Sequence, residues 1–552
     1  MSSKKRDGFI MQAGIMAAAG IIVRIIGILY RSPLVAIIGD EGNGYYNTAY
    51  IIYTIILLVS SYSIPSAISK IIAARLAVHE YKNAQRIFYC AFLYVIVVGG
   101  AASLFCFFEA DMLVGKNSAQ VLQIFAPTIF FSGLLGVLRG YFQAHRTMLQ
   151  TSVSQIVEQI LNAAVSIGAA YLLMNLAAGS DTTTQAIRGA MGSALGTGSG
   201  VVIALIFMAL VYHLNRRMIQ KRVQNDQTQH LLSYREIFKI TICMVTPVVL
   251  STCIYNLSSP LNLKIYQGIM ENAFSYTEAQ ATTAFGLFSG KAMQIVNIPI
   301  ALASAMSAAI IPTIAGSFEK KNLKETNQKI ARAIKVTMMI SIPAAFGLFS
   351  LAKPVTMLLY PQKDSVDLVA SLIRVLSITV IFYGLSTLSN AVLQGTGRVN
   401  VPVINAVIAN IVQGGLLVVL LFDTKLDLYA VCIVTILYSF LMCLLNGIAV
   451  RRQLQYRQEV VRTFVLPIVA SFWMALGAGG TYFGAYKLLS ILLKEETVSY
   501  LNNAVSTVIA VGVAGIIYLV LILKLGVLSR KELTEIPKGT VLLRIGEKLH
   551  LL

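Results

Sequence analysis

The 552-residue chain is too apolar for a soluble globular protein, because 57% of its residues are hydrophobic and only 12% are charged. Soluble proteins carry about 25% charged residues, so the mean hydropathy of +0.74 indicates a polytopic membrane protein. The sequence contains no phosphate-binding loop, nucleophile elbow or C-x-x-C pair. This argues against an ATPase, a serine hydrolase and a metal centre, and we expect no bound cofactor.

Fourteen apolar stretches are long enough to cross a hydrocarbon core about 30 Å thick as helices. None of them has the period-2 alternation of a barrel strand. The predicted fold is therefore an all-α polytopic membrane protein. Its helices are predicted near 10–36, 46–68, 87–108, 119–141, 152–175, 187–212, 237–259, 285–311, 331–352, 368–392, 402–422, 428–450, 463–487 and 501–524.

The charge of the loops predicts the orientation of these helices. With the N-terminus in the cytoplasm, most of the 44 Lys and Arg residues fall in cytoplasmic loops, above all 213–239 and 451–462. By the positive-inside rule both termini are cytoplasmic, and the net charge of +20 requires no nucleic-acid partner. The segments 64–86 and 525–552 have apolar residues at helical spacing among basic ones. We expect them to lie on anionic lipid, although 64–86 could equally be a plain helical extension.

An internal repeat predicts two lobes. The stretch LRGYFQAHRTMLQTSVSQ (138–155) is echoed by SNAVLQGTGRVNVPVINA (389–406), and Ile64-Pro65 is echoed more weakly by Ile311-Pro312. Six helices separate the copies, so both lobes have the same orientation and we expect a substrate site between them. The predicted domains are an N-lobe over 1–230 (helices 1–6), a C-lobe over 231–455 (helices 7–12), and 456–552 (helices 13 and 14 with a cytoplasmic amphipathic tail), with a polar linker over 213–236.

Four charged residues, Arg24, Glu158, Lys291 and Arg374, are predicted inside membrane spans and away from the span ends. Arg24 lies near mid-depth, where a charge costs at least about 2.5–3.5 kcal/mol and a guanidinium cannot lose its proton. It is interpreted as an anion-binding group in a transport path, or alternatively as a snorkelling or paired arginine. Lys291 is predicted to contact a phosphate or sugar, unless it snorkels outward. For Glu158 we favour structural pairing over proton coupling, and for Arg374 snorkelling or a loop salt bridge.

Polar and small residues in the spans have two possible roles. Asn256 and Asn297, with Asn390, Asn405 and Asn410, could line a sugar-binding cavity, although such residues more often join helices by hydrogen bonds. The glycine-rich stretch GAMGSALGTGSG (189–200) predicts close helix packing.

Several stretches, taken in order, resemble a known family. They are IIVRIIGILYRSPLVAIIGDEGNGYYNTAY (21–50), IPSAISKIIA (64–73), FAPTIFFSGLLGVLRGYFQ (125–143), SQIVEQI (154–160), SGKAMQIVNIPIALASAMSAAIIP (289–312) and VLQGTGR (392–398). With them the chain resembles the multidrug/oligosaccharidyl-lipid/polysaccharide flippase superfamily. Within it, the likeness is to the polysaccharide-transporter branch of stage V sporulation protein B-like proteins and MurJ-type lipid II flippases.

The resemblance implies flipping of an undecaprenyl-pyrophosphate-linked glycan across a bacterial plasma membrane, without enzymatic chemistry. In such flippases basic residues of helices 1, 2 and 8 line a central cavity. By motif position Arg24 and Lys291 match two of them, and Arg31 matches another with a spacing one residue longer. The second-helix arginine is missing, since the region 60–65 is neutral. Helices 13 and 14 would shape a groove for the lipid tail.

Three hypotheses follow. The first is a monomeric flippase for lipid II or a related glycan precursor, powered by the membrane potential or a coupling cation, with Arg24 and Lys291 on the pyrophosphate. The alternative is a cation-coupled multidrug exporter of the same fold, for which Glu158 is the only buried acid. The third, a membrane glycosyltransferase, is disfavoured because the predicted outer loops are short, the longest near 260–284.

Overall fold

The computed structural model describes residues 19–20, 22–62, 64–145, 147–228, 231–424, 426–492 and 499–528. These residues form helices joined by short turns, and no strand occurs among them, so the predicted all-α fold is confirmed. Lys4, Lys5 and Arg6 and the amphipathic tail from 529 onward lie outside the described residues. The chain divides into two compact units, Met1–Gly286 and Leu287–Leu552.

The first unit contains twelve of the helices described. They are α1 (Ile22–Leu29), α2 (Arg31–Leu57), α3 (Ile64–Ala77), α4 (Tyr81–Tyr94), α5 (Gly100–Phe108), α6 (Ala110–Val114), α7 (Lys116–Ala144), α8 (Met148–Leu176), α9 (Thr182–Gln224), α10 (Tyr234–Asn256), α11 (Ser258–Ala273) and α12 (Glu278–Gly286). Short π-helical segments, Leu58–Tyr62 and Val95–Gly99, extend α2 and α4.

The second unit starts in a π-helical turn, Leu287–Ala292, and contains nine of the described helices. They are α13 (Met293–Glu319), α14 (Leu323–Ser350), α15 (Ala352–Leu359), α16 (Lys363–Leu376), α17 (Thr379–Gly395), α18 (Asn400–Asp423), α19 (Leu428–Leu454), α20 (Leu466–Leu492) and α21 (Ser499–Lys524). A further π-helical turn, Val461–Val465, leads into α20.

The helices agree closely with the fourteen predicted segments. Among the described residues, ten helices are long and apolar enough to cross a membrane, or twelve if two bent pairs each count as one span. The predicted segments 46–68 and 237–259 are helical in α2, α3 and α10 but do not count as separate spans. The number fourteen therefore stays a prediction.

Three predicted loops are largely helical. Residues 37–45 fall between two predicted helices, but only Gly39 departs from helical geometry there, with φ 69°, a value that glycine adopts without steric penalty. The segment 260–284 forms most of α11 and α12 around a short turn. The predicted linker 213–236 is helical up to Gln224 and again from Tyr234, because polar residues outside the membrane still favour helix when most are good helix formers.

The segment 64–86 is not one amphipathic helix. It breaks after Ala77, where His79 has a positive φ of 64°, and the chain restarts as α4. On α3, Ile68, Ile71 and Ile72 are buried in the first unit, and α3 packs against α7. This supports the helical-extension alternative for its first half.

Packing divides the chain at a different point from the repeat. Helices α10, α11 and α12 pack against α2, α3 and α4, so the first compact unit continues to Gly286. The predicted lobe boundaries at 230/231 and 455/456 concern the repeat, and they stay a prediction.

Each unit has a core built from helices at matching positions. In the first unit the main buried cluster comes from α3, α4, α7 and α9, with one residue of α10. In the second it comes from α13, α14, α17 and α19. Both echoed Ile-Pro pairs lie at a close helix contact, since Gly140 on α7 faces the carbonyl oxygen of Pro65 and Gly395 on α17 faces that of Ile311. The two glycines occupy different positions in the repeat, so the contacts involve the same helices but not equivalent residues.

The glycine-rich stretch makes the closest helix pair of the first unit. Gly189, Gly192, Gly196 and Gly200 lie on the face of α9 that packs on α8. A Cβ at Gly192 would come within 2.4 Å of the backbone nitrogen of Ala170. The predicted close packing is therefore confirmed, because only a hydrogen side chain allows the two backbones to approach this far.

The helix α9 starts with an acidic cap. The carboxylate of Asp181 accepts hydrogen bonds from the hydroxyl of Thr184 at 2.7 Å and from its backbone N–H at 3.1 Å. These two hydrogen bonds lower the pKa of Asp181, and the bond from the Thr184 hydroxyl has the larger effect. Such a cap satisfies an N–H group that has no partner inside the helix.

Candidate functional site

Arg24 lies on α1, the described part of the first predicted span. Its side chain is exposed, and α1 and α2 are bent by 41° relative to each other next to Tyr30. The bend separates the helical residues around Arg24 from α2 within the apolar run. The guanidinium is permanently charged, and with this exposure Arg24 remains a candidate for binding an anion.

Arg31 opens α2 and interacts with an aromatic cluster of the first unit. Its guanidinium carbon lies 5.8 Å from the ring centroid of Tyr50, which is cation–π distance. Tyr46, Tyr50 and Tyr53 each pack on Phe125, with centroid separations of 5.6 Å, 6.0 Å and 4.7 Å. The charge of Arg31 is therefore held against aromatic faces.

Glu158 on α8 forms an ion pair within the first unit. Its Oε2 accepts a hydrogen bond from Nη2 of Arg139 on α7 at 2.7 Å, and Nε of Arg139 donates to Oγ of Ser154 at 2.9 Å. The side chains of Glu158 and Arg139 are 27% and 14% exposed, respectively. Glu158 thus has a charged partner, Arg139, as the structural-pairing alternative requires.

Lys291 is enclosed in the second unit. It lies in the π-helical turn before α13, and its residue exposure is 0%. Its ammonium donates hydrogen bonds to Oε1 of Gln362 at 2.6 Å and to Oγ of Ser365 at 2.9 Å. It also lies 5.6 Å from the ring centroid of Tyr360. In this conformation Lys291 does not snorkel outward, and neutral side chains accept two of its hydrogen bonds.

The asparagines of the series differ in exposure and partners, and Asn390 and Asn410 make hydrogen bonds within their own helices. Asn256 ends α10, is exposed and donates to the carbonyl of Thr252 in its own helix at 2.8 Å. Asn297 is exposed on α13. Asn405 instead donates to Asn446 at 2.8 Å and joins α18 to α19. Asn256 and Asn297 therefore remain candidates for ligand contact, while Asn405 follows the structural alternative.

Some residues of these sites do not stand out in the sequence. Gln362 and Ser365 lie in a segment predicted as an outer loop, and Arg139 falls at the predicted cytoplasmic end of its helix. Lys335 is a buried lysine of α14, only 7% exposed, although its position near the predicted start of helix 9 gives no indication of burial. Arg374, predicted to snorkel, is exposed on α16.

Comparison with known proteins identifies the family. A profile of the family described as "Lipid II flippase MurJ" matches residues 84–493, which is well over half of the chain. The chain belongs to the lipid II flippase MurJ family. The superfamily resemblance seen in the sequence motifs is thereby confirmed.

Two relatives from Bacillus subtilis (strain 168) match over nearly their whole length. The "Lipid II flippase MurJ" of that organism is 26% identical over 561 residues, covering 96% of this chain and 97% of the relative. The "Stage V sporulation protein B" is 23% identical over 544 residues, covering 96% of this chain and 98% of the relative.

A solved structure shows the same fold. It is described as the inward-facing conformation of a multidrug resistance MATE family transporter of the MOP superfamily, and it matches with a TM-score of 0.65 and 16% identity. The match covers 81% of this chain and 98% of that one. At this identity the likeness establishes a transporter fold and not a substrate.

Proposed function

We propose that this MurJ-family protein flips an undecaprenyl-pyrophosphate-linked glycan from the inner to the outer leaflet of the bacterial plasma membrane by alternating access. The glycan is lipid II or a related cell-wall or polysaccharide precursor. The family match over residues 84–493 carries the proposal. The protein acts as a monomeric, non-enzymatic transporter with cytoplasmic termini, in contact with anionic lipids, and uses the membrane potential or a coupling cation.

The basic residues suit a pyrophosphate headgroup. Arg24 carries a planar fork of donors that matches phosphate oxygens, and Lys291 carries a point charge. In this conformation the ammonium of Lys291 is buried and bonded to Gln362 and Ser365, so binding a phosphate requires it to exchange these partners. Arg31, which lies in the first unit, adds a third positive charge. Asn256 and Asn297 supply exposed amide groups for sugar hydroxyls. A membrane potential that is positive outside also favours export of an anion, by about 2.3 kcal/mol per charge per 100 mV.

The multidrug-exporter alternative has less support from the structure. It needs an acid that can bind a cationic drug or a coupling ion, and Glu158 is the acid assigned to that role. The carboxylate of Glu158 is engaged by Arg139 at 2.7 Å. The MATE-like fold is shared by both hypotheses and does not favour either.

The decisive experiment is complementation in the native host. After depletion of the protein, we expect an undecaprenyl-linked precursor to accumulate on the inner leaflet, and its identity names the substrate. Arg24→Ala should lower flipping by roughly 10- to 150-fold, the value of a hydrogen bond to a charged group, while the protein is still expressed. Arg24→Lys should retain part of the activity because the charge is kept.

Arg374→Ala is the matched control, since Arg374 is also an exposed arginine of a predicted span but has no assigned role on the substrate. It should complement like wild type. Full complementation by Arg24→Ala would contradict the role of Arg24. Dye resistance without precursor accumulation would support the exporter instead.

A further inference from the structure

The turn that carries Lys291 is one of four π-helical segments among the described residues. Residues Leu287–Ala292 form a π-helical turn between α12 and α13, inside the apolar run Glu278–Ser307. Every residue from Phe285 to Ala292 is buried. A π-helical turn is rare and occurs frequently at functional sites, and here it places an ammonium group in a fully packed position.

The hydrogen bonds to Lys291 come from the start of another helix. Gln362 is the residue just before α16, and Ser365 lies in its first turn. The side chain of Gln362 makes no capping bond to α16, because its carbonyl oxygen accepts from Lys291 at 2.6 Å. The side chain of Gln362 therefore binds the ammonium of Lys291 and does not cap α16.

Lys291 lies beside the N-terminal turn of α16, which also carries Asp364. The N-terminus of a helix carries a partial positive charge, which favours anions and disfavours a cation next to it. The ammonium of Lys291 contacts two neutral oxygens there and the face of Tyr360, 5.6 Å away. An anion would interact favourably with both the ammonium and the helix end, whereas these two side-chain acceptors carry no net charge.

We propose that Gln362 and Ser365 are positioning residues that form a releasable cage around Lys291. In the caged state Lys291 is withheld from ligand. The pyrophosphate of the lipid-linked substrate competes with the two side-chain oxygens for the ammonium. This rests on the proposed function, because it takes Lys291 as a headgroup-binding residue, and it adds the residues that control its availability.

The cage is tested without any transport assay by covalent lysine footprinting. The purified full-length protein is treated with a membrane-permeant acylating ester, and modification of each lysine is measured by mass spectrometry. Lys335 is the matched internal control, since it is a second buried lysine of the same unit. Lys324, which is exposed on α14, reports the maximal reaction.

In wild type we expect Lys291 to react as little as Lys335. In the Gln362→Ala/Ser365→Ala double variant, modification of Lys291 should rise about tenfold, the least that loss of one hydrogen bond to a charged group produces, while Lys335 stays protected. Unchanged modification of Lys291 would overturn the cage. A parallel rise at both lysines would overturn it too, because it would indicate general loosening of the unit.

Competition with substrate is tested by binding of undecaprenyl pyrophosphate. The double alanine variant should bind about tenfold more tightly than wild type, because the binding-competent state is no longer a minor one. Gln362→Glu should bind more weakly, since a carboxylate forms a stronger, charge-assisted bond to Lys291. A purely structural role would weaken binding in both variants and so contradict the proposal.

The two proposals fail in different ways. If wild type does not bind undecaprenyl pyrophosphate, the proposed substrate is wrong, and the footprinting result still decides whether the cage exists. If wild type binds it but neither Gln362 variant changes the affinity, competition at Lys291 is refuted and the flippase function stands.

Discussion

The contact between α8 and α9 allows a quantitative prediction from glycine geometry. A methyl group introduced by Gly192→Ala would lie 2.4 Å from the backbone nitrogen of Ala170 and 2.5 Å from the carbonyl carbon of Ala169. Favourable contacts between heavy atoms lie at about 3.5–4.0 Å. The helices would have to separate by about 1 Å, because backbone atoms cannot rotate away as a side chain can. Such overpacking costs about 1–3 kcal/mol.

The same helix pair provides a control variant whose expected change in stability has the opposite sign. A methyl group at Gly168 on α8 would meet no atom within 4 Å, so Gly168→Ala should gain up to about 1 kcal/mol from helix propensity. The two variants should therefore differ by about 1–4 kcal/mol. For a chain of 552 residues this corresponds to roughly 1 °C per kcal/mol, so their melting temperatures in detergent should differ by about 1–4 °C. Equal melting temperatures would refute the close approach of α8 and α9.

Two further predictions concern charged groups of the first unit. A double-mutant cycle with Arg139→Ala and Glu158→Ala should give a coupling energy of about 1–3 kcal/mol in unfolding, and a value near zero would show that the ion pair contributes nothing. For Asp181, the folded pKa lies below its usual value of 3.8, so its capping contribution is complete above that value and is lost as the pH falls through the lowered pKa. Over that acidic range, the protection of amides in the first turn of α9 against hydrogen exchange, measured relative to their intrinsic exchange rates, should fall, and Asp181→Asn should remove this pH dependence.

The helices could be predicted because lipid imposes a simple rule. Each span needs about 20 apolar residues, and the predicted segments therefore coincide with helices of the structure to within a few residues at most ends. The rule says nothing about where a helix continues into water. This explains why the apolar pattern ends α9 near 212 although the helix continues to Gln224, and why it places α12 in a loop.

The site was predictable only in its charges. Arg24, Lys291 and Glu158 stand out because a charge in an apolar run is rare and costly. Their partners do not stand out: Gln362 and Ser365 are ordinary polar residues 71 and 74 positions from Lys291 along the chain. Only the fold brings them to the ammonium. The same holds for Arg139, since one arginine near a helix end gives no sign of which acid it contacts.

The limit between the compact units falls between Gly286 and Leu287, within an apolar run that serves as a single candidate span. A chain divided there would leave α12, nine residues long, as a stub of about 14 Å, less than half a bilayer core, with unpaired backbone groups in hydrocarbon. The chain therefore cannot be cut at the boundary between the two compact units without leaving a helix too short to cross the membrane. A division in the polar segment between α9 and α10 avoids this stub, and it places α10, α11 and α12 on the second fragment.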